Sequence, residues 1–331
     1  MIDSRALKKT ADIQLRRARQ PEKIVIAYSA VIIALSAVIT VAQYLLADQI
    51  SQTGGLLHMG SRSFFSAIAN FLPVLQMGLT LCLDFGFMAA MIRISRGQYA
   101  SVNSLRTGFE RFWPLLRCTL LKYAMIMVAS VACIYLSVLL FVLSPFSDSF
   151  MAAVEPLLSN SSILSGGSVP VPDAATQQAI LSSTASLWII MALVCVVLVL
   201  PIVYRMRMAN YVLYDHPEAG ALYALRESRK MMRGNRIALF RVDLSFWWYY
   251  LLLASTAVVA YLDLILPMLG ISLPLPETVA YFLFYFLSLG CNFAIFYFFK
   301  NKVETTYALA YNALKPREET GGVVLGNIFQ M

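Results

Sequence analysis

The sequence predicts an all-α polytopic membrane protein with six transmembrane helices, and two observations carry this prediction. Of the 331 residues, 59% are hydrophobic and only 13% are charged, whereas a soluble domain carries about 25% charged residues. Six segments are long and apolar enough to cross about 30 Å of hydrocarbon as helices. An ordinary water-soluble fold is therefore excluded.

The six predicted spans are distributed along the whole chain. Five contain no charged residue, and the second contains only Asp84. We expect Pro73 and Pro201 to kink the second and fourth helices, and Gly86 and Gly290 to allow close approach of neighbouring helices. The spans are residues 24–47, 64–92, 123–145, 186–204, 244–262 and 279–299.

The distribution of basic residues predicts the orientation of these spans. Of the 26 Lys and Arg residues, 25 lie before the first span, between the second and third, between the fourth and fifth, or after the sixth. Only Arg62 lies on the other side. Because cytoplasmic segments collect Lys and Arg, we expect both termini in the cytoplasm. We interpret the net charge of +8 as orientation and attraction to anionic lipid headgroups, not as nucleic-acid binding.

Residues 1–23 are predicted to form a cytoplasmic basic helix that precedes the first span. This segment is too long and too charged for the start of an ordinary cleaved signal peptide, and no A-x-A-like site follows the apolar run. We therefore expect the first span to be retained. Residues 1–315 then form a single six-span domain, followed by a cytoplasmic tail at 316–331.

Three basic stretches each precede a pair of spans, which indicates a unit of one helix and one membrane hairpin repeated three times. A threefold duplication explains this arrangement, and so does the general tendency of odd-numbered spans to follow basic cytoplasmic segments. The stretches share a pattern of Leu, basic, any and small residue, in Leu7-Lys8-Lys9-Thr10, Leu105-Arg106-Thr107-Gly108 and Leu225-Arg226-Glu227-Ser228.

The segment 215–235 is predicted to form a cytoplasmic amphipathic helix. Asp215 is placed to cap its N-terminus with Glu218 three residues later, and Gly234 is suited to end it. We expect its apolar face to pack on acyl chains or neighbouring spans; a connector that is merely solvated is the alternative. The apolar face holds Ala221, Leu222, Leu225, Ser228 and Met232, and the residues expected to bind anionic headgroups are Arg226, Arg229, Lys230, Arg233 and Arg236.

An aromatic cluster lies at the start of the predicted fifth span. We expect Trp247, Trp248 and Tyr249 to anchor the chain at headgroup level, because Trp and Tyr are enriched at membrane interfaces. A ligand cage is the alternative interpretation. The preceding Asp243, together with Asp84, also allows an intramembrane aspartyl protease, but the G-x-G-D string of such enzymes is missing.

The segment 146–185 is predicted to be an extracytoplasmic loop. Its centre, SNSSILSGGSVPVPD, is rich in Ser, Gly and Pro, which is typical of irregular structure. Asp173 is placed to cap the helix that continues into the fourth span. A loop of this length is either a binding element or a cover.

The sequence predicts no catalytic residue, no metal site and no cofactor. The only two histidines, His58 and His216, fall on opposite membrane faces, and the strings of zinc proteases, serine hydrolases and nucleotide-binding loops are absent. The five cysteines show no C-x-x-C spacing and are interpreted as buried structural thiols. They are Cys82, Cys118, Cys133, Cys195 and Cys291.

Asp84 is the one charged residue inside a predicted span, and a charge at the bilayer centre costs about 3 kcal/mol. We expect it to pair with Arg117 or Lys122, which enter the membrane at the start of the third span. The alternative is a proton or ion relay through polar side chains of other spans. The side chains of such a relay would be Asn70, Gln76 and Asn292.

Four stretches carry a family resemblance. The most specific is ALRESRKMMRGNRIALFRVDLSFWW at 224–248, and the weaker ones are RALKKTADIQL, RISRGQYASVNSLRTGFERF and TTYALAYNAL. Together they resemble the bacterial integral-membrane family known as domain of unknown function 975. The tail REETGGVVLGNIFQM departs from that family, whose members close soon after the last motif. The resemblance implies a polytopic protein of the bacterial plasma membrane and implies no reaction.

These observations favour a non-enzymatic organiser or a partner- or lipid-binding subunit. Its expected partners are anionic membrane lipids, and either another membrane protein or a second copy of the chain. A small transporter or channel-like protein with a polar path near Asp84 is the first alternative, and an intramembrane enzyme acting on lipid is the second. A polar cavity reaching Asp84 would favour transport, whereas an exposed apolar groove would favour partner or lipid binding.

Overall fold

The protein is described by a computed structural model that covers residues 3–18, 21–52, 59–158, 174–271 and 274–315. Within these ranges all regular structure is helical, as predicted. The first half contains α1 (Ser4–Arg17), α2 (Pro21–Gln52), α3 (Met59–Ser95), a 3-10 turn (Val102–Arg106), α4 (Thr107–Glu110), α5 (Phe112–Val142) and α6 (Pro145–Leu158). The second half contains α7 (Ala174–Arg205), α8 (Ala209–Asp215), α9 (Gly220–Met231), α10 (Arg236–Leu244), α11 (Trp247–Ala260), α12 (Leu262–Met268), α13 (Glu277–Ile295) and α14 (Asn301–Leu314).

Five helical segments of the described chain are long and apolar enough to cross a membrane. A sixth crossing exists if α10 and α11, which meet at an angle of 60°, are counted as one bent span. The structure therefore has five to six candidate spans where the sequence predicted six. The five are Pro21–Ile50, Ser63–Ser95, Phe112–Val142, Ile180–Asp215 and Glu277–Leu314.

The predicted fifth span, residues 244–262, corresponds mainly to α11 and counts as a crossing only together with α10. The chain bends between α10 and α11, where the Ser245 hydroxyl donates to the Val242 carbonyl at 2.6 Å and so competes with the helical backbone. The helix after the bend, α11, has only 14 residues, or about 21 Å at 1.5 Å per residue. The helix before it carries Arg236, Arg241 and Asp243, which oppose burial in hydrocarbon.

The long helices pair as three hairpins: α2 against α3, α5 against α7, and α11 against α13. Their outer faces expose large apolar side chains, such as Val128 at 73% and Val197 at 68%. Exposed apolar surface on this scale is rare in soluble proteins. These faces are the surface that a bilayer covers.

The shorter helices gather at one end of the hairpins, which we call the basic end: α1, the turn Val102–Arg106, α4, α8, α9, α10 and α14. Helix α14 is buried in it through Val303, Tyr307, Ala308 and Tyr311, and packs against α1 and α3. The basic end therefore has a core of its own around α14, which continues the last span directly.

The three basic lead-in stretches occupy similar positions at this end. Helix α1 packs on α14, the turn Val102–Arg106 packs on α3, and α9 packs on α8, so each contacts the end of a hairpin's second span. Their shared leucines, Leu7, Leu105 and Leu225, are all buried. The repeated sequence pattern thus corresponds to a repeated packing environment.

Close backbone contact explains two glycines at this end. A Cβ at Gly86 would lie 2.2 Å from the Leu105 carbonyl oxygen, and one at Gly108 would lie 1.8 Å from the Cys82 carbonyl oxygen. The predicted close approach at Gly86 is confirmed. The prediction for Gly290 is wrong, because a Cβ there would meet no described atom within 4 Å. Pro73 and Pro201 both lie inside helices, α3 and α7.

The predicted helix at 215–235 begins later than expected. Asp215 ends α8 and does not cap α9, which begins at Gly220 with a φ of 79°. The helix ends at Met231, and Gly234 follows with a φ of 84°, as its sequence indicated. The buried face consists of Ala221, Ala224, Leu225, Ser228 and Met231.

This buried face of α9 packs on neighbouring helices and not on acyl chains. Helix α9 contacts α5 and α8, and the Ser228 hydroxyl donates to the Arg205 carbonyl at 2.9 Å and accepts from the Met208 amide at 3.2 Å. Leu222 was assigned to this face, but it is 69% exposed. The difference arises because consecutive helical residues are rotated by about 100°, which places Leu222 at the edge of the face that Ala221, Leu225 and Ser228 form.

The predicted outer loop is partly helical. Helix α6 occupies its first part and packs on α7, and α7 itself begins at Ala174, so residues 145–158 and 174–185 are helical. The stretch 159–173, including Asp173 and its predicted cap, lies outside the described residues, as does the tail at 316–331.

All five cysteines are free thiols. Cys82, Cys118 and Cys133 are buried, as expected, and Cys291 is intermediate. Cys195 is exposed on α7, so its interpretation as a buried thiol is wrong.

Candidate functional site

Asp84 lies beside the end of the last span and not beside the third. Its Oδ1 accepts a hydrogen bond from the Tyr28 hydroxyl at 2.5 Å and from Lys300 Nζ at 3.2 Å. Lys300 Nζ also donates to the Tyr28 oxygen at 2.5 Å. The three groups therefore form a triangle that joins α2, α3 and the segment before α14.

The predicted partners of Asp84 are wrong. Lys122 Nζ donates to the side-chain Oδ1 of Asn210 at 3.2 Å, and Arg117 is exposed. These cations were predicted from their depth at the start of the third span, whereas packing of α3 against α14 places Lys300 closer.

Lys300 is held among aromatic rings. Its Nζ lies 4.2 Å from the centroid of Tyr28, 4.7 Å from that of Phe296 and 5.5 Å from that of Phe87. Cations are attracted to ring faces at such distances. Lys300 ends a π-helical turn, Phe296–Lys300, a type of local irregularity that is frequent at functional sites. Its side chain is 11% exposed, whereas that of Asp84 is 49% exposed.

A second cluster surrounds Asp243 of α10. The hydroxyls of Tyr204 and Tyr307 donate to its two carboxylate oxygens, and Arg207 Nη2 lies 3.2 Å from Oδ1. The Tyr250 and Tyr307 hydroxyls are 2.8 Å apart. Every contact of this carboxylate is with a donor, so the cluster stabilises the junction of α7, α10 and α14.

A third cluster surrounds Asp215 at the end of α8. Arg96 donates two hydrogen bonds to its carboxylate, each of 2.8 Å, and the Tyr311 hydroxyl donates a third, also of 2.8 Å. Lys315 Nζ lies 3.2 Å away. Bidentate guanidinium–carboxylate pairs are among the stronger ion pairs, and this one joins the ends of α3, α8 and α14.

Helix α14 and the π-helical turn before it supply a side chain to each cluster. Glu304 lies between the others and accepts a hydrogen bond from Tyr211 at 3.3 Å, and Lys302 pairs with Asp12 of α1 at 2.8 Å. The sequence interpretation did not identify this helix as part of a site. The sequence does contain a pattern that could have identified it: polar side chains recur at steps of four, three and four residues, which places them on one helical face. They are Lys300, Glu304, Tyr307 and Tyr311.

Lys8 of α1 lies at the bend between α10 and α11. Its Nζ donates to the Ser245 carbonyl at 2.5 Å and lies 3.9 Å from the centroid of Phe246. Burial lowers the pKa of Lys8, and the charge of Lys302 lowers it further, while Asp12 opposes the change. Since carbonyls at a helix end lack partners within the helix, Lys8 satisfies one of them and joins α1 to the bend.

The polar residues of the predicted relay do not converge on Asp84. Asn70 is exposed and contacts Ser66 of its own helix at 3.5 Å. Gln76 donates to the Ser36 hydroxyl at 3.1 Å, and Asn292 accepts from Thr256 at 3.3 Å. Each amide thus has a local partner, and the three lie at separate contacts.

The basic residues of α9 and α10 lie on the surface of the basic end. Arg226, Arg229, Lys230 and Arg233 are exposed, and Arg236 is partly buried. Lys230 makes a local ion pair with Glu227 at 3.1 Å. Large exposed apolar side chains on α10 lie close to these cations in sequence, namely Ile237, Phe240 and Leu244.

The three predicted interface anchors have different environments. Trp247 and Trp248 are exposed and their ring centroids are 3.8 Å apart. Tyr249 is buried in the core, so it does not lie at the surface with the two tryptophans. The sequence did not distinguish the three because all are aromatic and consecutive.

The three clusters are networks of hydrogen bonds and ion pairs between helices. No group of three or more His, Cys, Asp or Glu side chains in the described ranges is placed to hold a metal ion. His216 packs against the Tyr223 ring with centroids 5.9 Å apart, and His58 lies outside the described residues. The carboxylates of the three clusters accept hydrogen bonds from tyrosine, lysine or arginine.

Comparison with known proteins assigns the chain to a family. Among curated proteins and among solved structures, no match was found for this chain. The model of one protein family matches residues 1–318, nearly the whole sequence, and its description is protein of unknown function (DUF975). The chain therefore belongs to the DUF975 family, as the four sequence stretches indicated.

Proposed function

We propose that the protein acts by binding, as a non-enzymatic plasma-membrane protein whose basic end faces the cytoplasm and binds anionic phospholipid headgroups at the surface of α9 and α10. The observation that carries this proposal is the surface of α9 and α10. Its basic side chains are exposed, and exposed apolar residues follow them on α10. A surface with both features is suited to the membrane interface, where cations meet phosphates and apolar groups meet acyl chains.

The carboxylates of the three clusters are paired within the protein, whereas most of the exposed cations on α9 are not, and this contrast supports the same proposal. Asp84, Asp215 and Asp243 all have cationic partners within the chain. The exposed row on α9 consists of three cations of that helix and Arg233 directly after it. Only Lys230 has an acidic partner among the ion pairs of the described residues. The row is therefore available to external anions, and the cytoplasmic leaflet supplies such anions at high density.

The proposal is tested by lipid retention after reconstitution. The purified protein is placed in nanodiscs of phosphatidylcholine with and without phosphatidylglycerol, and bound lipid is measured by native mass spectrometry. We expect selective retention of phosphatidylglycerol, and a loss of several-fold when Arg226, Arg229, Lys230 and Arg233 are changed to Gln. A variant with Arg5, Lys9, Arg16 and Arg17 changed to Gln removes the same charge from α1 and is the matched control. Equal losses in both variants, or no lipid selectivity in the parent protein, would refute the proposal.

A small transporter is the second candidate, and one observation favours it. The carboxylate of Asp84 lies inside a candidate span and is 49% exposed although it pairs with Lys300. Carboxylates at membrane depth often mark ion or proton pathways. Proteoliposomes loaded with a pH-sensitive dye would show proton flux that is abolished in Asp84→Asn; absence of flux in the parent protein eliminates this candidate.

A further inference from the structure

An apolar groove of about 640 Å³ lies between the end of α7 and the start of α10. Its volume falls within the range of about 300–1,000 Å³ that small-molecule sites occupy. The walls are apolar, and the groove reaches about two turns along α7 from the basic end. The residues that line it are Val196, Leu200, Pro201, Tyr204, Ile237 and Phe240, with Gly234 and Arg236 at one end.

The mouth of this groove is positively charged and incompletely satisfied. The Nε atom of Arg236 is buried and has no hydrogen-bond partner among the described residues. The rest of the Arg236 side chain is partly exposed and lines the groove, and a guanidinium is suited to hydrogen bonding with phosphate oxygens. Helix α10 begins at Arg236 and its first turn has no side-chain cap, so its amide groups add partial positive charge at the same place.

The outer side of the groove belongs to the apolar surface of the spans. Val196 is 57% exposed and Ile237 is 69% exposed, although both line the groove. An occupant is therefore in contact with the acyl-chain region on one side and with the interface at the other end. This combination fits a molecule that has a long apolar part and one anionic head.

We infer that the groove binds one anionic phospholipid, with its phosphate at Arg236 and the first turn of α10 and one acyl chain along Val196 and Leu200. The inference rests on the proposed lipid-binding function and assigns it a specific site. It differs from the exposed row on α9, where headgroups exchange freely, because here the acyl chain is also held.

The groove is connected to the buried network through its lining. Tyr204 lines the groove and donates to Asp243, which also accepts from Tyr307 of α14. Its ring packs edge-on against Phe240 at 6.1 Å between centroids. Bound lipid therefore packs on a side chain that joins α7 to α10, and we expect occupancy to raise the melting temperature of the protein.

The test titrates detergent-purified protein with phosphatidylglycerol or with phosphatidylcholine of the same acyl chains, and measures the first bound lipid by native mass spectrometry. Arg236→Gln is expected to weaken the first phosphatidylglycerol about tenfold, equivalent to 1.4 kcal/mol. Leu200→Trp, which fills the groove, is expected to lower occupancy by either lipid. Arg5→Gln and Leu193→Trp are the matched controls, since both residues are exposed and neither lines the groove.

The outcomes separate this site from the broader proposal. If the parent protein is selective for phosphatidylglycerol and neither Arg236→Gln nor Leu200→Trp changes its binding, the groove is not the lipid site. The proposed function then remains intact. No selectivity in the parent protein overturns both. If inorganic phosphate displaces phosphatidylglycerol when both are present at the same concentration, the acyl chain does not contribute to binding. The groove is then not a lipid site. A melting temperature measured for each variant identifies any that has failed to fold.

Discussion

Helices α9 and α14 both carry charges at the basic end, but they use them in opposite ways. The cations of α9 project from the surface, whereas the charged and tyrosine side chains of α14 are joined to Asp12, Asp215, Asp243 and neighbouring tyrosines. A surface charge remains hydrated without a partner, while a buried one needs compensation. We therefore expect changes on α9 to affect binding and changes around α14 to affect stability.

The largest expected effect is at Asp243. Asp243→Ala leaves Arg207 and the hydroxyls of Tyr204 and Tyr307 without their common acceptor. Breaking a buried ion pair costs about 3–5 kcal/mol, and because the Arg207 side chain is 35% exposed we expect about 3 kcal/mol. Unfolding in mild detergent, followed by tryptophan fluorescence, measures the change. Glu227→Gln, which removes an exposed pair, is the control, and similar losses in the two variants would contradict the contrast.

A close backbone contact gives the next largest effect. Gly108→Ala places a methyl group where the Cys82 carbonyl lies, so α3 and α4 must move apart, at a cost of about 1–3 kcal/mol. Gly290→Ala is the matched change in an open position, where we expect no loss or a gain of up to about 1 kcal/mol from better helix propensity. Both are measured as melting temperatures, and a neutral Gly108→Ala would show that the contact does not exist.

We expect a smaller loss of stability when the ion pair between Asp84 and Lys300 is broken. Because the carboxylate is 49% exposed, we expect Lys300→Met to cost about 1 kcal/mol. A double-mutant cycle of Asp84→Ala with Lys300→Met should show coupling, since the two side chains contact each other. The same cycle with Lys122→Met should show none. Coupling to Lys122 and not to Lys300 would restore the pairing that the sequence suggested.

The smallest change in stability is expected on α9. Replacing Arg226, Arg229, Lys230 and Arg233 with Gln should alter the free energy of unfolding by no more than about 0.5 kcal/mol per position, as for ordinary surface substitutions. The same variant is expected to lose lipid retention. A large drop in melting temperature would mean that these cations stabilise the fold itself.

Hydropathy was sufficient to predict the long helices. Uncharged runs of about 20 residues have few alternatives to a membrane helix, and α2, α3, α5, α7 and α13 follow that expectation. Hydropathy did not predict the bend before the fifth span, where the Ser245 hydroxyl bonds to a backbone carbonyl and Lys8, a residue far away in sequence, donates to another.

The partners of the buried charges were harder to predict. Asp84 and Lys300 are 216 residues apart, so only tertiary packing brings them together. Within α14, the spacing of Lys300, Glu304, Tyr307 and Tyr311 could have indicated one polar face of a helix. That spacing would still not have identified Tyr28, Asp215 or Asp243 as the groups facing it.

The proposed orientation of the basic end tests the account most directly, because lipid binding by α9 and α10 depends on it. Arg229→Cys places a thiol on the exposed face of α9, and the parent protein with its five native cysteines is the control for background. A thiol reagent that does not cross membranes should label this variant in inverted vesicles and leave it unlabelled in intact cells. Labelling in intact cells above the parent background would contradict the account.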